Sequence, residues 1–129
     1  MKVLIIDADW RFVAQVTPFL EDKAHLVVHH TDTNEAGKQI LQWRPDLVIL
    51  AAGMASGDLV QKIYSLPERP AVLLTENMDR YAQAWRVWQH CGDELLMKPI
   101  FKHAEFHEAM IGALGNASVA AVQARRKVG

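Results

Sequence analysis

The sequence predicts an α/β fold in which five strands alternate with five helices around a parallel sheet. Half of the 129 residues are apolar, which suffices for one domain with a sizeable core. Short runs of branched aliphatic residues recur along the chain, and segments with apolar residues at helical spacing separate them. Strands that alternate with helices of this length form right-handed βαβ units, so the sheet is expected to be parallel.

The run from Asp46 to Leu50 predicts the central strand. It is introduced by Pro45, continues into Ala51 and stops at Gly53. A short run this rich in branched aliphatic residues is typical of a strand that helices cover on both faces. Ligands of open α/β sheets bind beyond the carboxyl ends of the strands. The residue expected at that end of the central strand is Ala51.

The same patterns predict the other elements in order. The further strands are expected at residues 2–6, 25–30, 71–75 and 94–97. Helices are expected at residues 10–22, 34–43, 80–90 and 103–114. A further helix is expected between the central strand and Pro67, with Leu59, Ile63 and Leu66 on its inward face. The domain therefore covers residues 1–114. The alanine-rich residues 115–129 form either a helical tail, which links to an output domain after Gly129, or a frayed end.

Charge and cysteine content exclude several classes of protein. The formal net charge is −1, which gives no field that favours nucleic acid or an acidic membrane surface. Cys91 is the only cysteine, so no internal disulfide forms, and we expect it to fill space in the core. The sequence has neither a signal peptide pattern nor a membrane-spanning run. A cytoplasmic location is expected.

Four segments at the predicted strands stand in a recognisable order along the chain. The segments are Ile5-Ile6-Asp7-Ala8-Asp9, Pro45-Asp46-Leu47-Val48-Ile49-Leu50, Leu73-Leu74-Thr75 and Met97-Lys98-Pro99. In order and approximate spacing they resemble the receiver domain of bacterial two-component response regulators, over residues 2 to about 114. The resemblance implies a flavodoxin-like doubly wound (βα)5 sheet with strand order 2-1-3-4-5.

The resemblance also implies a site for phosphoryl transfer to an aspartate, assisted by Mg²⁺. The phosphoacceptor position falls on Ala51, whose methyl group cannot attack phosphorus. The paired acids of the family fall on Asp7 and Ala8, so the usual metal-ligating acid is also absent. Asp9 does not replace it, because a shift of one residue at a strand end redirects the side chain. We therefore expect little or no Mg²⁺ binding, no catalytic residue and no cofactor.

Three further positions of the family pattern can be located. Thr75 and Lys98 occupy the places of the switch hydroxyl and the lysine, whereas the aromatic switch position holds Leu95. With the phosphoacceptor replaced by alanine, Lys98 is expected to contact Asp7 or Asp9, because an unpaired buried charge is costly. Trp10 is expected at the rim of this vestigial pocket, where it would cover it.

Trp85 and Trp88 are three residues apart on the predicted fourth helix. In the family, that helix, the fifth strand and the fifth helix form the usual surface for dimers or output domains. Tryptophan is frequent at interaction hot spots, so we expect at least one of the two to be exposed and to serve as a contact residue.

The four-residue spacing of His103 and His107 is compatible with zinc, but no third ligand lies nearby, and no metal site is expected. The chain has neither a phosphate-binding loop nor a nucleophile elbow, so an enzyme is not expected.

The sequence thus favours a phosphorylation-independent signalling domain that acts through protein contacts, as a homodimer or by control of an output domain. The alternative is a sensor that binds a small anion or metabolite in the vestigial pocket.

Overall fold

The computed structural model describes residues 1–128, except the side chains of residues 127 and 128, as a five-stranded parallel sheet with helices on both faces. Along the chain the elements are β1 (Lys2–Ile6), α1 (Trp10–Asp22), β2 (Leu26–His30), α2 (Thr33–Trp43), β3 (Leu47–Ala51), α3 (Gly57–Tyr64), β4 (Ala71–Asn77), α4 (Tyr81–Trp88), β5 (Glu94–Lys98) and α5 (His103–Val128). Single 3-10 turns lie at Ala52–Met54 and Met78–Arg80.

The strand order is β2-β1-β3-β4-β5, and every neighbouring pair is parallel. The predicted doubly wound α/β fold and its strand order are therefore confirmed. In the register of the sheet, Ala51 at the end of β3 is aligned with Thr75 in β4, and Leu50 is aligned with Ile6 in β1. The carboxyl ends of the inner strands consequently meet at one edge.

Two apolar cores lie on opposite faces of the sheet. Ile49 of β3 belongs to the core beneath α1 and α5, together with Phe12 and Phe106. Its neighbour Leu50 belongs to the core beneath α2 and α3, together with Ile40. This division follows from the alternation of side chains along a strand. Each fully buried side chain of this size stabilises the fold by about 1.5–3 kcal/mol.

Polar side chains define where the helices begin. Asp9 accepts a hydrogen bond from the amide of Phe12 at the start of α1. Asp32 and Ser56 accept hydrogen bonds from helix amides in the same way at the starts of α2 and α3. Such capping side chains satisfy amide groups that have no partner within the helix.

Two predicted bounds differ from the structure on the way into α4. β4 continues two residues beyond Thr75 through the polar residues Glu76 and Asn77, because both are paired with β5. The fourth helix, predicted from Arg80, begins only at Tyr81, after the 3-10 turn. No side chain caps α4, so its start had no sequence signal.

α5 is a continuous helix of 26 residues, and at 1.5 Å per residue it is about 39 Å long. It passes through Gly115 without a break, so residues 115–128 are helical. Their role as a linker stays a prediction, and Gly129 lies outside the described residues. No helix of the described residues has the length and apolarity needed to cross a bilayer.

Candidate functional site

Four positions of the vestigial pocket lie at the carboxyl ends of β1, β3, β4 and β5. Asp7, Ala51, Thr75 and Lys98 each stand two residues after a strand residue that belongs to the core beneath α1 and α5. Side chains two residues apart in a strand face the same side of the sheet. The strand order therefore brings these four positions together on one face, as the resemblance implies.

The carboxylate of Asp7 is the centre of this pocket, and the residue is 2% exposed. Its Oδ1 accepts a hydrogen bond from the amide of Asp9 at 2.9 Å. Its Oδ2 accepts hydrogen bonds from Thr75 Oγ1 at 3.1 Å and from Lys98 Nζ at 2.9 Å. Both oxygens are thus occupied by donors of the chain itself, which compensates for the burial of the charge.

Lys98 is 4% exposed, and its ammonium has two carboxylate partners. Nζ lies 2.9 Å from Asp7 Oδ2 and 3.2 Å from Asp9 Oδ2. The expected contact is therefore present with both acids. Nζ also lies 4.8 Å from the centroid of the Phe12 ring, a cation–π contact. From the sequence, Phe12 was assigned only to the core. Its position in the first turn of α1, three residues after Asp9, could have indicated that its ring lies near Lys98.

Asp9 joins the pocket to the start of α1, because it both caps the helix and pairs with Lys98. Two opposing effects act on the pKa of Asp9, and the larger single one is partial burial, which by itself raises the pKa. The hydrogen bond from Lys98, the amides of Phe12 and Arg11 and the charge of Lys98 together outweigh burial, so the pKa lies below its usual value. The ionised form is the one that the folded chain stabilises.

The positions that would complete a magnesium site have no side-chain oxygen. Ala51 is buried at the end of β3, and Ala8 is exposed beyond β1. Mg²⁺ requires octahedral oxygen coordination, and both oxygens of Asp7 already accept hydrogen bonds. Within residues 1–128 no three His, Cys, Asp or Glu side chains are grouped closely enough to hold a metal ion. The pocket does not fit this ion.

A second buried carboxylate lies nearby, on the opposite face of the sheet. Glu76 belongs to β4, and its Oε1 accepts the hydrogen bond from Asn77 at 2.9 Å. Its Oε2 faces the turn after β3, since a Cβ added to Gly53 would lie 3.5 Å from it. Sequence reasoning missed Glu76 because the predicted strand ended at Thr75. In the pocket itself, two carboxylates, those of Asp7 and Asp9, accompany the one ammonium of Lys98, so the formal charge of this group is negative.

Leu95, at the aromatic switch position, is half-buried and packs against the core beneath α2 and α3. Leucine has neither an aromatic ring nor a polar group, so this side chain cannot make a hydrogen bond that changes with the state of the pocket. Trp10 is largely exposed, with the Arg11 guanidinium 5.5 Å from its ring, and the aromatic ring that contacts Lys98 is that of Phe12.

The two tryptophans of α4 have different surroundings. Trp85 is 43% exposed, and its ring stacks on that of Tyr81 at 6.4 Å. Trp88 meets Trp85 edge to face at 5.3 Å but is only half-exposed, because it packs against the core beneath α2 and α3. Trp85 therefore meets the expectation of one exposed tryptophan. Trp88 is in large part a packing residue.

The histidines of α5 and the cysteine make packing contacts within the domain. The rings of His103 and His107 lie 5.0 and 6.1 Å from that of Phe19 and so pack on α1. Cys91 is buried, and burial raises the pKa of its thiol, which lowers the reactive thiolate fraction.

Neutralising Asp7 is expected to destabilise the fold more than neutralising Lys98. Asp7→Asn should lower the unfolding free energy by about 3 kcal/mol, because one amide oxygen must serve three donors and Lys98 keeps only Asp9. Lys98→Met should cost about 1–2 kcal/mol, because Asp7 keeps its bonds from Asp9 and Thr75. Urea denaturation measures both.

The double variant Asp7→Asn/Lys98→Met tests whether the two groups act as a pair. It should cost less than the two single changes together, by about 0.5 kcal/mol or more. Asp58→Asn, at an exposed carboxylate of α3, is the matched control and should change stability by less than about 0.5 kcal/mol. Strict additivity of Asp7 and Lys98 would contradict the pairing.

The contribution of Asp9 to stability should depend on pH. Asp9→Asn keeps a capping side chain and removes the charge that pairs with Lys98. Because the pKa of Asp9 is lowered by folding, its carboxylate stabilises the fold above its unfolded pKa of about 4, and this contribution is lost as the pH falls through the folded pKa. The stability difference between wild type and Asp9→Asn should therefore be largest near neutral pH and vanish in acid. A difference that stays constant on acidification would argue against the pair.

No protein-family model and no curated protein matches the chain. Solved structures do match it. NtrX from Brucella abortus, in complex with ADP, has a TM-score of 0.77 and 20% identity over 98% of this chain, which spans only 29% of the NtrX chain. The signal receiver domain of a putative LuxO repressor protein from Vibrio parahaemolyticus has a TM-score of 0.74 and 17% identity; the match covers 94% of this chain and 95% of that domain.

A response regulator receiver domain protein from Clostridium thermocellum has a TM-score of 0.73 and 20% identity. The match covers 92% of this chain and 98% of that one. At these identities the likeness establishes the fold alone, and that fold is the fold of response-regulator receiver domains.

Proposed function

We propose that this chain is a receiver-like signalling domain that takes no phosphoryl group and acts through protein contacts. The observation that carries the proposal is the closed network of Asp7, Asp9, Thr75 and Lys98 beside Ala51. The groups that would steady a phosphoryl oxygen in such a fold are engaged with carboxylates of the chain, and the position for the nucleophile holds a methyl group.

Other acids are poor substitutes for the absent nucleophile. Asp46 lies at the amino end of β3, about 16 Å from Ala51 at 3.3 Å per residue, and accepts a hydrogen bond from the amide of Lys2. Both carboxylate oxygens of Asp7 accept hydrogen bonds within the chain, and Asp9 caps its helix and pairs with Lys98. Regulation of such a domain would come from binding or from abundance, since a ligand shifts a conformational equilibrium only by binding one state better.

A sensor for a small anion or metabolite is the weaker candidate. An anion entering the pocket would have to displace Asp7 or Asp9 from Lys98 in a region that is already net negative. Replacing one anionic partner of Lys98 by another contributes little binding free energy, and the displaced carboxylate would be left without its partner.

The surface of α4 is the proposed contact for a partner protein, or for a second copy, alongside β5 and α5. Met78, Tyr81 and Trp85 are exposed within two turns of one another, and the two rings stack. Large aromatic side chains exposed together are typical of interaction hot spots. We call Met78, Tyr81 and Trp85 the aromatic patch.

The pocket should remain inert to phosphodonors. After incubation with acetyl phosphate and Mg²⁺, intact-mass spectrometry should find no phosphorylated species, because no carboxylate stands at the end of β3. The variant Ala8→Asp/Ala51→Asp restores both absent acids and should bind Mg²⁺ in a calorimetric titration where the wild type does not. A wild-type mass increase of one phosphoryl group would refute the proposal.

The aromatic patch should be separable from the core by stability measurements. Trp85→Ala should change the unfolding free energy by less than about 0.5 kcal/mol, as exposed side chains do. Trp88→Ala should cost about 2 kcal/mol, less than the loss for a fully buried tryptophan. Urea denaturation followed by circular dichroism compares the two variants.

A photo-crosslinking amino acid at position 85 should capture a partner protein or a second copy in cells that make the protein. The same amino acid at Lys38, exposed on α2, is the control and should not. Equal capture at both positions, or loss of the fold in Trp85→Ala, would show that the patch is not a contact surface.

A further inference from the structure

One face of α5 carries exposed apolar residues between an acid and a base. Its members are spaced three or four residues apart and are all exposed: Glu108, Ile111, Gly115, Val119, Val122 and Arg126. From Glu108 to Arg126 the helix makes about five full turns, about 27 Å, so these residues form one straight line, which we call the outer seam.

The outer seam lies opposite the side of α5 that builds the core. Phe106, Met110 and Ala113 are buried beneath the helix, which fixes the seam on the outside. Ile111, Val119 and Val122 are 52%, 56% and 42% exposed. A helix that packs on its own domain alone normally carries polar residues on that side, so three branched apolar residues in one line indicate a further contact.

The charges at the two ends of the seam have no ion-pair partner among the described side chains. Among the side chains that the structure describes, neither Glu108 nor Arg126 takes part in an ion pair. No lysine or arginine lies one turn from Glu108, and no acid lies one turn from Arg126.

We propose that the outer seam binds a second copy of this chain, with the two α5 helices antiparallel. In this pairing Glu108 of each copy meets Arg126 of the other, Gly115 lies opposite Val119, and Ile111 lies close to Val122. A Cβ added to Gly115 would meet nothing within 4 Å, so the glycine leaves room for the valine of the second copy. The helix dipoles also oppose each other favourably.

Self-complementarity identifies the occupant as a second copy. A two-fold interface joins one patch to the same patch reversed, so an acid at one end requires a base at the other, with small and apolar residues between. The outer seam has this order. A parallel pair would instead place Glu108 against Glu108 and Arg126 against Arg126, which is repulsive.

This inference rests on the proposed function in one respect, namely that the domain signals by associating with another protein. It identifies the partner at the outer seam as a second copy of the chain. It leaves the aromatic patch of α4 to a different contact. The phosphodonor experiment and the experiment below can fail independently, because one measures covalent mass and the other measures oligomeric state.

Charge exchange across the seam tests the pairing. Sedimentation equilibrium of the whole chain at low salt, over micromolar to millimolar concentrations, should detect a dimer, because a seam of this length makes a small interface. Glu108→Arg alone and Arg126→Glu alone should each weaken dimerisation about tenfold or more, since each places like charges at both ends. The combined variant Glu108→Arg/Arg126→Glu should regain most of the wild-type affinity, because attraction is restored with the signs exchanged.

Two controls locate the interface. Glu21→Arg, an exposed reversal at the end of α1, and Lys38→Glu, an exposed reversal on α2, should leave the dimer unchanged. Val119→Asp should abolish it while leaving the circular dichroism intact, because that side chain is exposed in the single chain.

A chain that is monomeric throughout, or whose dimer is weakened as much by the control reversals as by those in the seam, would overturn the inference. Single reversals without rescue in the combined variant would exclude the antiparallel arrangement and overturn it as well.

Discussion

The ion pair of Lys98 with Asp7 and Asp9 is the interaction on which the carboxyl end of this sheet depends. An ammonium and a carboxylate that are almost fully buried destabilise a fold unless each finds its partners. Here β1 provides Asp7, β5 provides Lys98, β4 provides the hydroxyl of Thr75, and the cap of α1 provides Asp9. Four elements are thereby held at one edge by charge-assisted hydrogen bonds.

The same pair explains how a receiver-like fold can persist with Ala51 at the end of its central strand. In the resembling family the lysine meets a carboxylate at that position. In this chain the acids after β1 satisfy the lysine by themselves, so the alanine leaves no orphaned charge. The consequence for function is that a group which would otherwise be available to a phosphoryl oxygen is used as a structural tie. In the function proposed above, contact surfaces take over the signalling role, and α4 and α5 carry exposed apolar residues.

The sequence predicted most of the fold because the strands are strongly patterned. Runs such as Leu47–Leu50 are apolar without interruption, and their flanking turns and caps mark the ends, so the order of the five strands and five helices could be predicted. The two 3-10 turns were not predicted. The bounds failed where polar residues continue a strand, as at Glu76, and where a helix begins without a capping side chain, as at Tyr81. The local sequence pattern does not show that Glu76 is buried, because its burial depends on the turn after β3, which faces its carboxylate.

The features of the site that depend on strand order could be predicted from the sequence. Strand order and alternation place Asp7 and Lys98 side by side, and the cost of a buried charge requires them to pair. Rotamer-level features were not accessible, such as the contact of Phe12 with the ammonium or the outward position of Trp10. These depend on how α1 packs on the sheet. The exposed seam of α5 also escaped notice, because only the packed domain shows which side of a long helix remains uncovered.

The central claim is that Lys98 is committed to carboxylates of its own chain and is not available to a phosphoryl group. A crystal structure grown with Mg²⁺ and beryllofluoride, a phosphoryl mimic, tests it most directly. The account predicts Lys98 Nζ within hydrogen-bonding distance of Asp7 and Asp9, with no beryllofluoride beside Ala51. Lys98 turned towards a beryllofluoride bound at the end of β3 would contradict it.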